Sequence, residues 1–315
     1  MKKQITVIAF SAFLVFILFA CKNSDSDKTV IESTQPSAPE VKSAFINGDS
    51  LHYIDIGKGE PVIFVHGTLD DYRLWYMQMD TFAKNHRVIA YSRRYAYPNR
   101  QVSNDSADYS PVIHAKDLAG FIQSLGLGPV HLVGHSYGAY TALLTTMEHP
   151  ELVKTLMLGE PPVMPLLQNV PGGDTIINNF VSSSLMPAAE AFRSGNSEKG
   201  VSVFLGGVSG DTTLYSKMPR EVRTQMMENV LELRGIAFAK NLFPPVSCDN
   251  LKKIKTPVLI MTGQNTLLLF KTINEELNKC LINREKVMLP NATHGLEVEN
   301  PVDFNKIVLA FIDKY

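Results

Sequence analysis

The chain has 315 residues, 45% of them apolar and 19% charged, with 30 Lys and Arg against 31 Asp and Glu for a formal net charge of −1. The basic residues are scattered and matched by acids, which excludes the basic stripe by which nucleic-acid binders hold phosphate. The apolar share suits one globular body with a large core, and the three cysteines offer no metal-ligand spacing.

Met1-Lys2-Lys3 precede an apolar stretch from Ile5 to Phe19 that closes Leu18-Phe19-Ala20-Cys21. A basic start, a short apolar run and a small residue at the boundary are the layout of a secretory signal peptide. The run is shorter than the roughly 20 residues a spanning helix needs, so an uncleaved anchor is the lesser alternative. The segment resembles the bacterial lipoprotein signal. That resemblance implies cleavage before Cys21, lipid attachment to that cysteine, and an exported protein held at a membrane, facing the periplasm or the cell surface. Residues 1–20 are therefore expected as a leader. Residues 21–43, mostly Ser, Asp, Lys, Glu, Thr and Pro, are expected as a flexible tether, because they bury too little apolar surface to offset their ordering entropy.

From Phe45 to Ile56 the sequence reads as two short strands around Asn47-Gly48-Asp49, a hairpin signal. Continuous apolar runs follow at 61–65, 87–91, 130–133, 154–158, 257–261 and 286–289, as expected of strands buried on both faces of a parallel sheet. Helix-like segments at 110–125, 137–149, 267–280 and 301–314 alternate with them, which predicts an α/β fold with a doubly wound, mostly parallel sheet. The interval 161–250 breaks this rhythm. It has no comparable strand run but carries breakers and helix-like stretches such as 220–240, and it is expected as an inserted helical cap dividing the core into 44–160 and 251–315. Its Met and Phe residues suit either an apolar pocket roof or the cap's own core. Cys248 and Cys280 are left open between a disulfide and two separate thiols.

Gly134-His135-Ser136-Tyr137-Gly138 sits between an apolar run and a segment rich in Ala and Leu. In that context G-x-S-x-G forms a nucleophile elbow. The serine occupies a sharp turn, the glycines avoid clashes, and the following helix aims N–H groups at developing negative charge. With this elbow the body is similar to the α/β-hydrolases, from the hairpin to Phe311. The resemblance implies a serine hydrolase acting on a carboxylic ester, lactone or related small acyl substrate through an acyl-enzyme, with no cofactor. Phe64-Val65-His66-Gly67-Thr68 is similar to the family's H-G-x turn, which implies an oxyanion hole from the Thr68 and Tyr137 amides, with His66 structural. His294 lies after the last strand and before the last helix, the slot of the family's base, which none of the other seven histidines shares.

The acid departs from the commonest pattern. Gly263-Gln264-Asn265-Thr266 ends the penultimate strand, and no carboxylate follows before Glu275. Glu160 instead ends the strand after the nucleophile, and a subset of the fold, including some haloalkane dehalogenases, takes its acid from that strand end. Glu160 is therefore expected to orient His294. Dehalogenases and epoxide hydrolases of this fold use an aspartate in the elbow, whereas Ser136 suits an acyl-enzyme. Trp75 is expected in packing, and Arg93-Arg94 as a salt-bridged or solvated pair rather than a substrate anchor. Perhydrolysis or carbon–carbon cleavage by the same residues, and a non-catalytic small-molecule receptor, are the alternative functions.

Overall fold

Asn47 and Gly48 both take positive φ, 48° and 89°, the backbone of a two-residue turn whose twist matches that of paired strands. They join β1 (Val41–Ile46) to β2 (Asp49–Gly57). The computed structural model describes residues 39–99, 107–239 and 242–315; the expected leader, Cys21 and the tether to residue 38 lie outside the described residues. The tether expectation ran three residues too far. Val41, Lys42 and Ser43 pair with Ile54, Tyr53 and His52, and they escaped notice because an edge strand with one face in solvent has a polar composition.

The apolar runs become β3 (Pro61–Val65), β4 (Arg87–Tyr91), β5 (Val130–His135), β6 (Val153–Gly159), β7 (Val258–Gly263) and β8 (Arg284–Leu289). Among the described residues they form, with β1 and β2, one eight-stranded sheet in the order β1-β2-β4-β3-β5-β6-β7-β8. β2 is antiparallel to its neighbours β1 and β4; every other pairing is parallel.

The helices in chain order are α1 (Tyr76–Phe82), α2 (Pro111–Ser124), α3 (Tyr137–Glu148), α4 (Gly173–Phe180), α5 (Met186–Arg193), α6 (Ser197–Ser209), α7 (Leu214–Lys217), α8 (Arg220–Glu228), α9 (Val230–Phe238), α10 (Cys248–Leu251), α11 (Leu268–Cys280), α12 (Leu296–Glu299) and α13 (Pro301–Ile312). Side-chain alternation splits the central strands between two cores. Ile63 and Val65 of β3 join Leu118 of α2, Leu143 of α3 and Ile273 of α11, while Val62 and Phe64 join Phe82 of α1 and Phe304 of α13. Burial on both faces is why the central strands read as unbroken apolar runs rather than alternating ones, whereas β8, expected as such a strand, is a largely exposed edge. Trp75 is fully buried between Phe64 and Phe304, as packing.

The interval between β6 and β7 is the helical insert, α4 to α10, with a π-helical turn at Val181–Leu185. The expected single helix over 220–240 is broken at Asn229, which leaves helical geometry with ψ at 10°. Its buried carboxamide accepts from the Tyr97 N–H at 2.7 Å and donates to Asp71 at 2.7 Å, so a tertiary demand ends α8. Cys248 and Cys280 are joined as a disulfide that ties the start of α10 to the end of α11 across 32 residues, a closure worth about 4 kcal/mol against the unfolded chain.

Candidate active site

The carboxyl ends of β3, β5, β6, β7 and β8 meet at one crevice, where open parallel sheets place their ligands. β5 is buried along its whole length and delivers Ser136 at φ 50°, ψ −122°, a conformation non-glycine residues hold only when surroundings enforce it. The neighbours enforce it by close contact. A Cβ on Gly134 would lie 2.6 Å from the Ala139 Cα, and one on Gly138 only 2.2 Å from the Val65 carbonyl oxygen. Both glycines of the elbow are thus required by the approach of α3 to β5 and β3.

β6 ends in Glu160, also at positive φ (49°) and fully buried. Its Oε1 accepts from the Gly263 N–H at 2.8 Å, and its Oε2 accepts from the Thr266 hydroxyl at 2.8 Å and faces His294 Nδ1 at 2.7 Å. The loop that lacks the usual acid therefore supplies donors to Glu160 instead. A carboxylate can only accept here, so Nδ1 carries the proton and the Nε2 lone pair is left toward Ser136 Oγ, 3.0 Å away. Phe270 stacks on the imidazole with centroids 3.9 Å apart, fixing the ring plane.

Thr68, Ser136 and Tyr137 line a common cavity with Phe180, Phe204 and Phe270 among its walls. The Tyr137 N–H opens α3, where helix N–H groups are free. The Thr68 turn is held from behind by Arg93, which is fully buried and donates to the His66 and Gly67 carbonyl oxygens at 3.1 and 2.8 Å. His66 accepts from the Arg93 N–H through Nε2 at 2.9 Å, and burial holds its imidazole well below the usual range, so it is a neutral structural group. Arg93 is itself paired with Glu232 of α9 at 2.7 Å, and Arg94 with Asp117 at 2.6 Å. The arginine pair is salt-bridged, as expected.

One pair escaped the sequence reading. His135 donates its Nε2–H to the His294 carbonyl oxygen at 2.8 Å, leaving Nδ1 as a lone pair facing Glu297 Oε1 at 3.1 Å. Burial raises Glu297 well above the carboxylate range and lowers His135 to about 3, so burial favours the uncharged form of each. The available signal was weak: a polar residue inside a buried strand, and a Glu three residues past His294, where one helical turn brings it under the loop.

A model of the alpha/beta hydrolase fold family matches residues 60–301, well over half of the chain. The chain belongs to the α/β-hydrolase fold family. Among curated relatives, this α/β-hydrolase is 24% identical over 271 residues to the (E)-2-((N-methylformamido)methylene)succinate hydrolase of Acinetobacter baylyi, covering 85% of this chain and 95% of the relative. It is 21% identical over 298 residues to the pig bifunctional epoxide hydrolase 2, covering 84% of this chain; it spans only about half (54%) of that relative. Among solved structures, Est816, described as an N-acyl homoserine lactone degrading enzyme, superposes with a TM-score of 0.68 at 20% identity, covering 86% of this chain and 100% of that one. Likenesses of this order establish the fold, and with the family they make the protein a hydrolase enzyme.

In this α/β-hydrolase the loop after the H-G-T turn carries a titratable group in the neutral range. Burial, with the adjacent Asp71 carboxylate, pushes Asp70 up to about 7. Its folded value lies above the unfolded one near 4, so its contribution to stability is complete below pH about 4 and is lost as pH rises toward about 7. Asp70→Asn removes that loss. The variant is expected to gain on the parent by up to about 4 kcal/mol between pH 4 and 8, at about 1.4 kcal/mol per pH unit. Melting temperatures at both pH values check this; a constant difference between the two proteins would refute it.

Proposed function

We propose that this α/β-hydrolase cleaves a carboxylic ester, lactone or related acyl compound through an acyl-enzyme. The single observation that carries the reading is the unbroken relay Ser136 Oγ, His294 and Glu160, with links of 3.0 and 2.7 Å, opening on a cavity. Ser136 Oγ attacks the acyl carbon while His294 Nε2 takes its proton. The negative charge that develops on the carbonyl oxygen is met by the Thr68 and Tyr137 N–H groups, worth about 3 kcal/mol each. Glu160 stabilises the imidazolium, His294 returns the proton to the departing oxygen, and the same nitrogen then activates water against the acyl-enzyme.

Several relatives are named as epoxide hydrolases; the serine in the elbow supports acyl transfer here. The dioates named for a Burkholderia vietnamiensis relative carry two carboxylates; among the described residues no cationic side chain lines the cavity beside Ser136, which favours a neutral acyl compound. A fluorophosphonate probe offered to the full-length protein tests the reading. Its phosphonyl group is expected on the peptide containing Ser136; a mass spectrum with no adduct there sinks the proposal.

The body is further proposed to be exported and tethered through lipid on Cys21. The apolar leader and the Cys248–Cys280 disulfide, which suits an oxidising compartment, support this. Metabolic incorporation of an alkyne fatty acid is expected in the parent chain and absent in Cys21→Ala; equal incorporation in both would end the idea.

A further inference from the structure

The cavity beside Ser136 encloses only about 30 Å³, about the share of one water molecule in the liquid. An adjoining space of about 950 Å³, half open to solvent, lies on the cap between the π-helical turn, α5 and the Pro244-Pro245 segment. Sites for small molecules run roughly 300–1,000 Å³, so the second space has the capacity that the first lacks. Leu185, Ile236, Leu242 and Phe243 line both spaces. Among the described residues the partition thus has four apolar side chains, one of them set by the π-helical turn, a geometry that recurs at functional positions.

Among the described residues, the charged side chains along this path are paired. Arg93 is held by Glu232, and Arg193 pairs with Glu190 at the exposed rim of the larger space. The Tyr137 hydroxyl donates to the Tyr109 carbonyl oxygen. A carboxylate on the substrate's acyl part would be stripped of water beside Ser136 with no cation among the described lining residues to receive it, and the buried Glu160 lies on the same side.

Resting on the acyl-enzyme reading, we propose that the substrate is an uncharged compound with an aliphatic acyl chain, which runs from Ser136 between Leu185, Ile236, Leu242 and Phe243 into the space on the cap. These four residues set the chain length accepted. Moving a chain past them exchanges side-chain contacts for chain contacts, while each methylene that leaves water adds to transition-state binding.

The test uses the full-length protein with p-nitrophenyl acetate, butyrate and octanoate, and the mono-p-nitrophenyl ester of glutaric acid. kcat/KM is expected to rise roughly tenfold or more from acetate to octanoate, the gain that burying about two of the added methylenes already supplies. The anionic glutarate ester is expected to fall roughly tenfold or more below butyrate. Leu242→Trp, which fills the partition, is expected to lower the octanoate-to-acetate ratio by about tenfold. A flat chain-length profile, equal turnover of the glutarate ester, or an unchanged ratio in a Leu242→Trp protein that still melts cooperatively would each overturn the proposal. Should that variant not fold, Leu185→Trp and the parent's own profiles decide. Phosphonylation of Ser136 in the same preparation separates the two levels: an adduct with a flat profile defeats the chain path alone, and no adduct defeats both.

Discussion

Glu160→Gln is expected to lower kcat on a neutral ester by about 10³- to 10⁴-fold, while Glu275→Gln leaves it within about twofold. The first substitution preserves volume. Its amide oxygen can still accept from the Gly263 N–H, but the amide NH₂ then turns toward the Thr266 hydroxyl and His294 Nδ1, which Oε2 now serves as acceptor. A donor facing Nδ1 selects the tautomer with its proton on Nε2, and the lone pair that Ser136 needs is lost. Glu275 lies exposed on α11 and pairs with Lys286, remote from that geometry. Kinetics on the two purified variants decide the matter. Equal, small losses would remove Glu160 from the relay, and a large loss confined to Glu275→Gln would move the acid.

The convergence of Ser136, His294 and Glu160 was legible because each sits at a strand end, and strand ends are fixed by where an apolar run stops. A parallel sheet then brings the carboxyl ends of β5, β6 and β8 to one edge whatever lies between them in sequence. Glu160 follows from the empty positions after Gly263 together with the resemblance to the subset of the fold that places its acid after the next strand, and that emptiness has a physical counterpart: Gly263 and Thr266 act as donors to the displaced carboxylate. The Cys248–Cys280 link and the break at Asn229 were not legible, since both depend on contacts made only after the cap has folded over the core. The His135–Glu297 pair was hidden for a related reason. Neither residue belongs to a motif that announces it, and their meeting depends on how α12 turns beneath the His294 loop. Local pattern reports strands and elbows; it does not report which buried polar groups find each other across elements.

Arg93→Leu is expected to cost about 3–5 kcal/mol of stability, because it strands the Glu232 carboxylate in the interior. Arg93 and Glu232 are both essentially without solvent contact, 0% and 1% exposed, and the second partner near that carboxylate, His114, is kept neutral by burial. Burial already raises Glu232 above the usual carboxylate value against the opposing pull of Arg93. Its folded value lies above its unfolded one near 4, so its contribution is fullest in acid and is lost as pH rises. Without the guanidinium the rise is larger, and the deficit of Arg93→Leu is therefore expected to widen from acid to neutral pH in melting experiments. Arg93→Leu with Glu232→Leu removes the stranded charge and is expected to recover most of the loss. Turnover should not recover with it. The double variant still lacks the donors to the His66 and Gly67 carbonyl oxygens that hold the Thr68 turn, and a displaced amide at that position no longer meets the developing oxyanion. A double variant restored in both stability and kcat would show that Arg93 serves only to fasten the cap helix to the core.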